Sequence, residues 1–269
     1  MQVVSSLDVA AQKREVTLPL NGGKATKTLF LGPWEKPRTP ETGVSPQAYT
    51  VRQEHQNITH AHYHQTEQWQ VIVEGAGKLG RTDVAPVALH FTDPYTAYGP
   101  IVPEQEGLTY FTLRARSDPG ACMLATPGVK EAIRPSKRRF ILKGKSDLRI
   151  ATPEAMRART ETVLDVIVER HADGLAAWML RLPPGAQANL TTWPAECGGA
   201  GRHLMVAAGT LIHEGKPLPY ESLAFACAGE GGPVVTAGSD GAEVLIMQYP
   251  QPDPTLLDGA SAPYSTDGR

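Results

Sequence analysis

The feature that most constrains the fold of this chain is a spacing of glycines that occurs twice. Gly75 ends a run of mostly apolar residues, and a second run begins 32 positions later at Gly107. The same 32 positions separate Gly209, which also ends an apolar run, from Gly241, which begins another. A pattern repeated in this way indicates that the chain contains two copies of one structural unit.

The two copies are offset by 134 residues along the chain. Without any gap, this offset also places Phe91 over Phe225 and Gln53 over Gln187. The chain has 269 residues, which is enough for two domains of ordinary size. We therefore predict two tandem domains that share one architecture.

The architecture of each domain follows from the frequency of turn-forming residues. The chain contains 26 glycines and 23 prolines, which divide it into short apolar runs such as Val163–Val168 and Ala176–Leu182. Short strands joined by turns are expected, and a jelly roll or closed barrel leaves few exposed strand edges. We predict an all-β fold of two tandem double-stranded β-helix barrels (jelly rolls). The expected division is an N-terminal barrel over 1–125, a basic linker over 126–160, a C-terminal barrel over 161–250 and a flexible tail over 251–269.

Charge and composition argue against several classes of partner. The formal net charge is −2, whereas duplex affinity depends on many contacts from Lys and Arg to phosphates. The basic residues between Lys130 and Arg149 favour a solvated face or linker, with contact to RNA or anionic lipid as the weaker alternative. No stretch approaches the roughly 18 apolar residues that a membrane helix needs, and no secretory signal opens the chain. A cytoplasmic protein with neither a nucleic-acid nor a membrane partner is expected.

The strongest chemical feature is a set of three alternating histidines, His60, His62 and His64. Side chains at positions i, i+2 and i+4 of a strand share one face, so the three imidazoles can converge on one cation. Histidine is the commonest metal ligand at neutral pH. A hydrogen-bonded polar strand face is the alternative, and three histidines on one face favour the metal site.

These residues resemble the first sequence motif of the cupin superfamily. The motif has a His-x-His pair, three or four residues, a Glu, six residues and a Gly, and the chain matches it with His62, His64, Gln68 and Gly75. Gln68 occupies the position where Glu is usual. Glu67 lies one residue earlier, where strand alternation points it to the opposite face.

The second cupin motif supplies a further histidine about ten residues before the strand that closes the barrel. In this chain Tyr98 occupies that position, where it could ligate a metal or hydrogen-bond a substrate. His60 is the candidate to replace the missing imidazole, and His90 is a weaker candidate. In the second copy, none of the residues at the positions of the motif forms a metal set. They are Glu196, Gly198, Arg202 and Gly232.

The resemblance implies a bicupin with one active barrel, the N-terminal one. It implies a metal-dependent enzyme that acts on a small organic molecule, with oxygenase, isomerase and lyase chemistry among the possibilities. The cofactor would be a divalent transition metal (Fe, Mn, Ni or Zn), and Tyr98 would contact the substrate. The implied metal ligands are His60, His62, His64 and Gln68. A non-catalytic cupin that binds or senses a small molecule is the alternative, and such barrels often pair as homodimers.

Overall fold

Short antiparallel strands form nearly all of the regular structure, so the predicted all-β fold is confirmed. The computed structural model describes residues 1–20, 23–33, 43–144, 147–190 and 197–257. The first strands are β1 (Gln2–Val4), β2 (Glu15–Leu20), β3 (Gly23–Leu31), β4 (Gln47–Gln53), β5 (His62–Tyr63), β6 (Gln68–Leu79), β7 (Thr82–Val84), β8 (Leu89–Thr92) and β9 (Ile101–Arg114). They are followed by β10 (Cys122–Met123), β11 (Phe140–Lys143), β12 (Val163–Val168), β13 (Ala176–Leu182), β14 (Gln187–Asn189), β15 (Arg202–His213), β16 (Lys216–Pro219), β17 (Leu223–Ala226) and β18 (Val234–Gln248).

Helices are few and short. The α-helices are α1 (Ser6–Gln12) and α2 (Pro153–Arg157), and one 3-10 turn spans Pro254–Leu256. Among the described residues, no helix has the length and apolar character needed to span a membrane.

The chain packs as two compact units. The N-terminal unit comprises Arg14–Leu148 with Asp253–Arg269, and the C-terminal unit comprises Met1–Lys13 with Arg149–Pro252. The first residues belong to the C-terminal unit because β1 pairs with β17 and α1 packs against β16. Strand β11 lies in the segment expected as a linker, and it joins the sheet of the N-terminal unit by pairing with β8.

Each unit is built on an eight-stranded antiparallel sheet. The order in the N-terminal unit is β11-β8-β6-β9-β4-β3-β2, with β7 paired to β6. The order in the C-terminal unit is β1-β17-β15-β18-β13-β12, with β16 paired to β15 and β14 paired to β18. The series β8-β6-β9-β4-β3 therefore corresponds to β17-β15-β18-β13-β12. Phe91 in β8 and Phe225 in β17 occupy matching positions, as the 134-residue offset predicts.

The repeated glycine spacing has a steric cause. Gly75 adopts a φ of +74°, and a Cβ atom there would lie 2.1 Å from the carbonyl oxygen of Gly107. In the other unit Gly209 adopts a φ of +70°, and its Cβ would lie 2.2 Å from the carbonyl oxygen of Gly241. Only glycine tolerates both the left-handed backbone and the close approach of a neighbouring strand. The predicted repeat therefore marks the same close approach of two neighbouring antiparallel strands in both units.

One of the four overlaid positions is wrong. Gln53 lies in β4 opposite Leu108, and the corresponding pair in the other unit is Leu182 in β13 opposite Ala242. Gln187 lies instead in the short strand β14. The error arises because the chain between β13 and β15 is longer than the chain between β4 and β6, so the 134-residue offset holds from β6 onward and fails at β4.

Candidate functional site

The paired histidines lie at strand β5, in the interior of the N-terminal unit. His62 and His64 are both buried, and their rings stand perpendicular with centroids 5.3 Å apart. The side chain of His60 is exposed, because β5 begins only at His62 and the alternation does not extend back to it. The structure thus brings together two of the three predicted histidines.

The proton positions on His62 follow from its neighbours. Its Nδ1 lies 2.7 Å from the carbonyl oxygen of His60, and a carbonyl only accepts, so Nδ1 carries the proton and donates it. The Nε2 atom therefore has a free lone pair, which accepts the hydroxyl proton of Tyr98 at 2.9 Å. The His60 backbone, rather than its ring, contributes to the site.

The Gln68 amide connects Tyr98 to a buried cation. Its Nε2 donates to the Tyr98 hydroxyl oxygen at 2.5 Å, and its Oε1 accepts from Arg114 Nη2 at 2.8 Å and Nε at 3.2 Å. Because a guanidinium only donates, this arrangement fixes the orientation of the amide. The oxygen predicted to bind metal is therefore held by Arg114.

Arg114 is fully buried and keeps its charge. Its Nη1 donates to Gln47 Oε1 at 2.7 Å and to the Tyr49 hydroxyl at 3.2 Å. Burial works against the charged form, but the neighbouring Tyr49 and Asp118 raise the pKa of Arg114 above its usual value. The site thus contains a permanent cation surrounded mainly by neutral acceptors.

Asp118 fixes the second imidazole. His64 Nδ1 donates to Asp118 Oδ1 at 2.7 Å, and the carboxylate also accepts from the backbone N–H groups of Gln65 and Gly120 at 2.9 and 2.8 Å. Burial raises the pKa of the Asp118 carboxyl, but His64, Arg114 and these hydrogen bonds outweigh it and hold the pKa below its usual value. Since Asp118 is ionised and accepts from Nδ1, the free lone pair of His64 is on Nε2.

A third buried histidine lies beside Tyr98. His90 donates from Nδ1 to Gln70 Oε1 at 2.8 Å, and its ring centroid lies 5.0 Å from that of Tyr98. No donor among the described residues makes a hydrogen bond to its buried Nε2. His90, the weaker candidate in the sequence, is therefore part of the same polar cluster.

All three imidazoles are neutral at neutral pH. Burial and the neighbouring His64 ring lower the pKa of His62 to about 3. Burial and the charge of Arg114 lower the pKa of His64 to about 4. Burial and the neighbouring His62 lower the pKa of His90 to about 3. Burial also raises the pKa of Tyr98, which stays protonated.

Strand alternation is the signal that could have identified Arg114. In the run that begins at Gly107, Arg114 has the same alternation as the buried residues Tyr110 and Thr112, so it lies on their face of the strand. Glu67 forms a buried ion pair with Arg116 at 2.5 Å rather than contacting the histidines. No sequence signal identifies Asp118, because an Asp-Pro-Gly segment is typical of a turn.

The donor set fits a divalent metal in part. His62 and His64 each have Nδ1 bound to an acceptor and the lone pair on Nε2, which is the usual tautomer of metal-binding histidines. The Nε2 atom of His62 accepts from the Tyr98 hydroxyl in this arrangement. Gln68 Oε1 is engaged by Arg114, and the Tyr98 hydroxyl keeps its proton. Within the described ranges, no group of three or more His, Cys, Asp or Glu side chains is arranged to hold a metal. The two imidazoles fit a metal, while Gln68 in this arrangement does not.

The C-terminal unit lacks such a cluster at the corresponding positions. Gly198 and Gly232 replace His64 and Tyr98, and Glu196 lies outside the described residues. Arg202, at the position of Gln68, is buried and donates to the carbonyl oxygen of Leu190 at 2.5 Å.

Solved structures with similar folds are cupin proteins, as the resemblance in the sequence implies. No family model matches the sequence, and the search of curated proteins finds no match. A candidate dioxygenase from Nostoc punctiforme has a TM-score of 0.62 at 12% identity, covering 98% of this chain and 87% of that protein. The bacterial pirin YhhW from Escherichia coli, in complex with nickel(II), has a TM-score of 0.55 at 8% identity, covering 93% and 99%. Oxalate decarboxylase from Bacillus subtilis, which has Mn(II) centres, has a TM-score of 0.50 at 13% identity, covering 90% and 76%.

Proposed function

We propose that this protein is a metal-dependent bicupin enzyme that acts on a small organic molecule, with its site in the N-terminal unit. One observation carries the proposal. His62 and His64 are buried side by side, and each has Nδ1 anchored to an acceptor, which leaves the lone pair of each ring on Nε2. In His62 this lone pair accepts from the Tyr98 hydroxyl, which has to turn away for His62 to bind a metal. The nickel(II) complex and the Mn(II) centres of two structural neighbours support a divalent transition metal as the cofactor.

Each residue of the cluster has a role in this proposal. His62 and His64 hold the metal, which is Fe, Mn, Ni or Zn, and when bound it supplies Lewis-acid or redox chemistry. Asp118 and the His60 carbonyl group keep the two rings in the tautomer that presents Nε2. Once His62 Nε2 binds the metal, the single hydroxyl proton of Tyr98 loses its acceptor there and donates instead to a bound substrate, which it orients.

Gln68 and Arg114 set the polarity of the site. Gln68 joins the metal ligands only if its Oε1 leaves Arg114, and otherwise it holds the Tyr98 hydroxyl in place. The charge of Arg114 is buried, so it acts at close range with little screening by solvent. A substrate with excess electron density next to Arg114 is favoured over a cationic one.

A second candidate function is metal-free binding of a small molecule by the same cluster. The hydrogen bonds from Arg114 to Gln68 favour it, because they occupy the amide oxygen and leave a cation beside any metal. In this reading the imidazoles and Tyr98 serve as hydrogen-bonding groups for a polar ligand.

Metal analysis of the full chain, purified without a polyhistidine tag, separates the two candidates. The proposal predicts about one equivalent of a transition metal after reconstitution, and less than about a tenth of an equivalent in His62→Ala and in His64→Ala. His203→Ala, a buried histidine of the C-terminal unit, is the matched control and retains the metal. Less than about a tenth of an equivalent in the wild-type chain, with no gain on reconstitution, overturns the metal proposal and leaves the second candidate.

A further inference from the structure

The sheet of the N-terminal unit ends at an open strand edge. Strand β11 is the last in the sheet order, and among the described strands it pairs only with β8. The backbone groups along the other side of β11 therefore have no strand partner in the described part of the chain. An unpaired edge is a template for a further strand, and several kinds of domain bind extended peptides in this way.

The residues around this edge are strongly basic. Between residues 130 and 143 the chain has six cationic side chains and one acidic one. Two of the cations have partners inside the unit, because Arg139 forms an ion pair with Asp93 at 2.8 Å and Arg134 donates to a backbone carbonyl oxygen at 2.5 Å. The basic segment, which the sequence indicates as a solvated face or linker, thus runs along the edge of a sheet.

Two cations and one aromatic ring border β11. Arg138, two residues before the strand, is exposed, and Lys143, its last residue, is half-buried. Neither side chain forms an ion pair with a described residue. Phe140, the first residue of β11, is 46% exposed, and its ring centroid lies 4.7 Å from that of His90. The edge therefore has a cation near each end and an exposed apolar surface between them.

The C-terminal unit shows that a strand in this position does not need cations. There β1 pairs with β17 as β11 pairs with β8, and residues 1–12 contain no Lys or Arg. The amino group of the chain is bound to Glu230. Charged side chains beside an open edge disfavour pairing with strands of like charge and favour strands of opposite charge. The basic residues at β11 therefore select for an acidic partner.

We propose that β11 binds an extended peptide segment in which acidic residues flank a short apolar run, and that this segment becomes a further strand of the sheet. Its backbone hydrogen-bonds to the open side of β11, and its acidic side chains lie beside Arg138 and Lys143. An apolar side chain between them contacts the exposed ring of Phe140. The open backbone edge favours a peptide over a nucleic acid or an anionic membrane, because neither of these extends a sheet. Binding at this edge is independent of the metal.

Two labelled heptapeptides test the proposal by fluorescence anisotropy with the full chain. One is Glu-Glu-Val-Thr-Val-Glu-Glu, and in the other both valines are replaced by proline. The two carry the same charge, but proline lacks an N–H group and does not complete the pairing of a strand. We expect the valine peptide to bind at least about tenfold more tightly, and its binding to slow amide hydrogen exchange within Phe140–Lys143. An oligouridylate and vesicles that contain phosphatidylserine are titrated in parallel.

A charge reversal beside the strand tests the electrostatic part. Arg138→Glu is expected to weaken binding of the valine peptide at least about fivefold. Arg81→Glu is the matched control, because Arg81 is an exposed arginine in the turn between β6 and β7 of the same unit, and it should leave the affinity unchanged.

Several results would overturn the proposal. They are absence of saturable binding of the valine peptide, equal affinity for the two peptides, equal effects of the two charge reversals, and slowed exchange confined to residues outside β11. Binding of the oligouridylate or the vesicles without binding of the valine peptide would assign the basic segment to one of those partners instead.

Discussion

The two units share a strand order and differ in what fills the sheet interior. At positions matched by strand register, the N-terminal unit has polar side chains where the C-terminal unit has apolar ones. The matched pairs are Gln47 with Ala176, Tyr49 with Trp178, Gln70 with Leu204, His90 with Ala224, and Thr112 with Ile246. Burial of polar groups is unfavourable unless they are fully paired, so the C-terminal unit shows that this strand arrangement forms without buried polar residues at these positions.

A second difference concerns one buried cation in each unit. Gln68 and Arg114 occupy the positions that Arg202 and Gln248 occupy in the C-terminal unit, so the two residue types are exchanged between the strands. Arg114 donates to the side chain of Gln68, whereas Arg202 donates to the backbone carbonyl of Leu190. Arg114 thus holds a side chain in place in the N-terminal unit, whereas Arg202 hydrogen-bonds to the backbone in the C-terminal unit.

The largest expected effect is a different response of the two units to acid. In the folded N-terminal unit, three histidines are neutral because burial lowers their pKa values to about 3 to 4; they are His62, His64 and His90. In the C-terminal unit, burial lowers the pKa of one histidine, His203, to about 3. Below pH 6.5 the unfolded chain binds more protons, so each such group lowers the free energy of unfolding by about 1.4 kcal/mol per pH unit.

The N-terminal unit has three such histidines and the C-terminal unit has one. As the pH falls from about 6 to about 4, we therefore expect the free energy of unfolding to decrease by about 4 kcal/mol per pH unit in the N-terminal unit and by about 1.4 kcal/mol per pH unit in the C-terminal unit. Amide hydrogen exchange followed by mass spectrometry reports each unit separately. Equal pH slopes in the two units would contradict the assignment of three neutral buried histidines to one of them.

The next largest effect concerns the buried cations. Arg114→Met leaves the oxygens of Gln47 and Gln68 without donors and Asp118 without a nearby positive charge, so we expect a loss of about 4 kcal/mol in the free energy of unfolding. Arg202→Met is the matched change in the C-terminal unit. Burial lowers the pKa of Arg202, which means that its charge is less well stabilised than that of Arg114, so the variant should lose about half as much free energy of unfolding. Urea unfolding of both variants measures the difference, and a larger loss in Arg202→Met would reverse the comparison.

The repeated glycines test what the units have in common. Gly75→Ala and Gly209→Ala each force a Cβ against a carbonyl oxygen at a left-handed φ, and we expect similar losses of about 3 kcal/mol. Gly229→Ala is the control, because its φ is +73° and no atom lies near the added Cβ, so only about 1 kcal/mol should be lost. If either Gly75→Ala or Gly209→Ala left the free energy of unfolding unchanged, the two close approaches of neighbouring strands would not be equivalent.

The smallest expected change in stability concerns the hydrogen-bonded pair of Gln70 and His90, and it tests whether folding requires this pair. His90→Leu alone leaves Gln70 Oε1 without its donor and should lower the free energy of unfolding by about 1–3 kcal/mol. Adding Gln70→Leu restores an apolar pair like Leu204 with Ala224, and the double variant should lie within about 1 kcal/mol of the wild-type chain. Thermal unfolding compares the three proteins, and a double variant less stable than the single one would show that the N-terminal unit needs the Gln70–His90 pair to fold.

The sequence predicts much of the fold because its signals are local and repeated. The glycines where neighbouring strands approach closely, and the adjacency of His62 and His64 at β5, follow directly from spacing. The same alternation wrongly includes His60, because the strand begins only at His62. Asp118 contacts His64 across 54 residues of sequence, and such a contact depends on the tertiary fold rather than on any pattern near either residue.

Metal binding through His62 and His64, in the N-terminal unit alone, can be seen in an anomalous difference map from crystals of the full chain grown with Mn²⁺ or Ni²⁺. We expect one peak per chain, within bonding distance of both Nε2 atoms and close to Tyr98, and no peak in the C-terminal unit. A map without a peak at these two imidazoles, from crystals that bind the ion elsewhere or not at all, would contradict it.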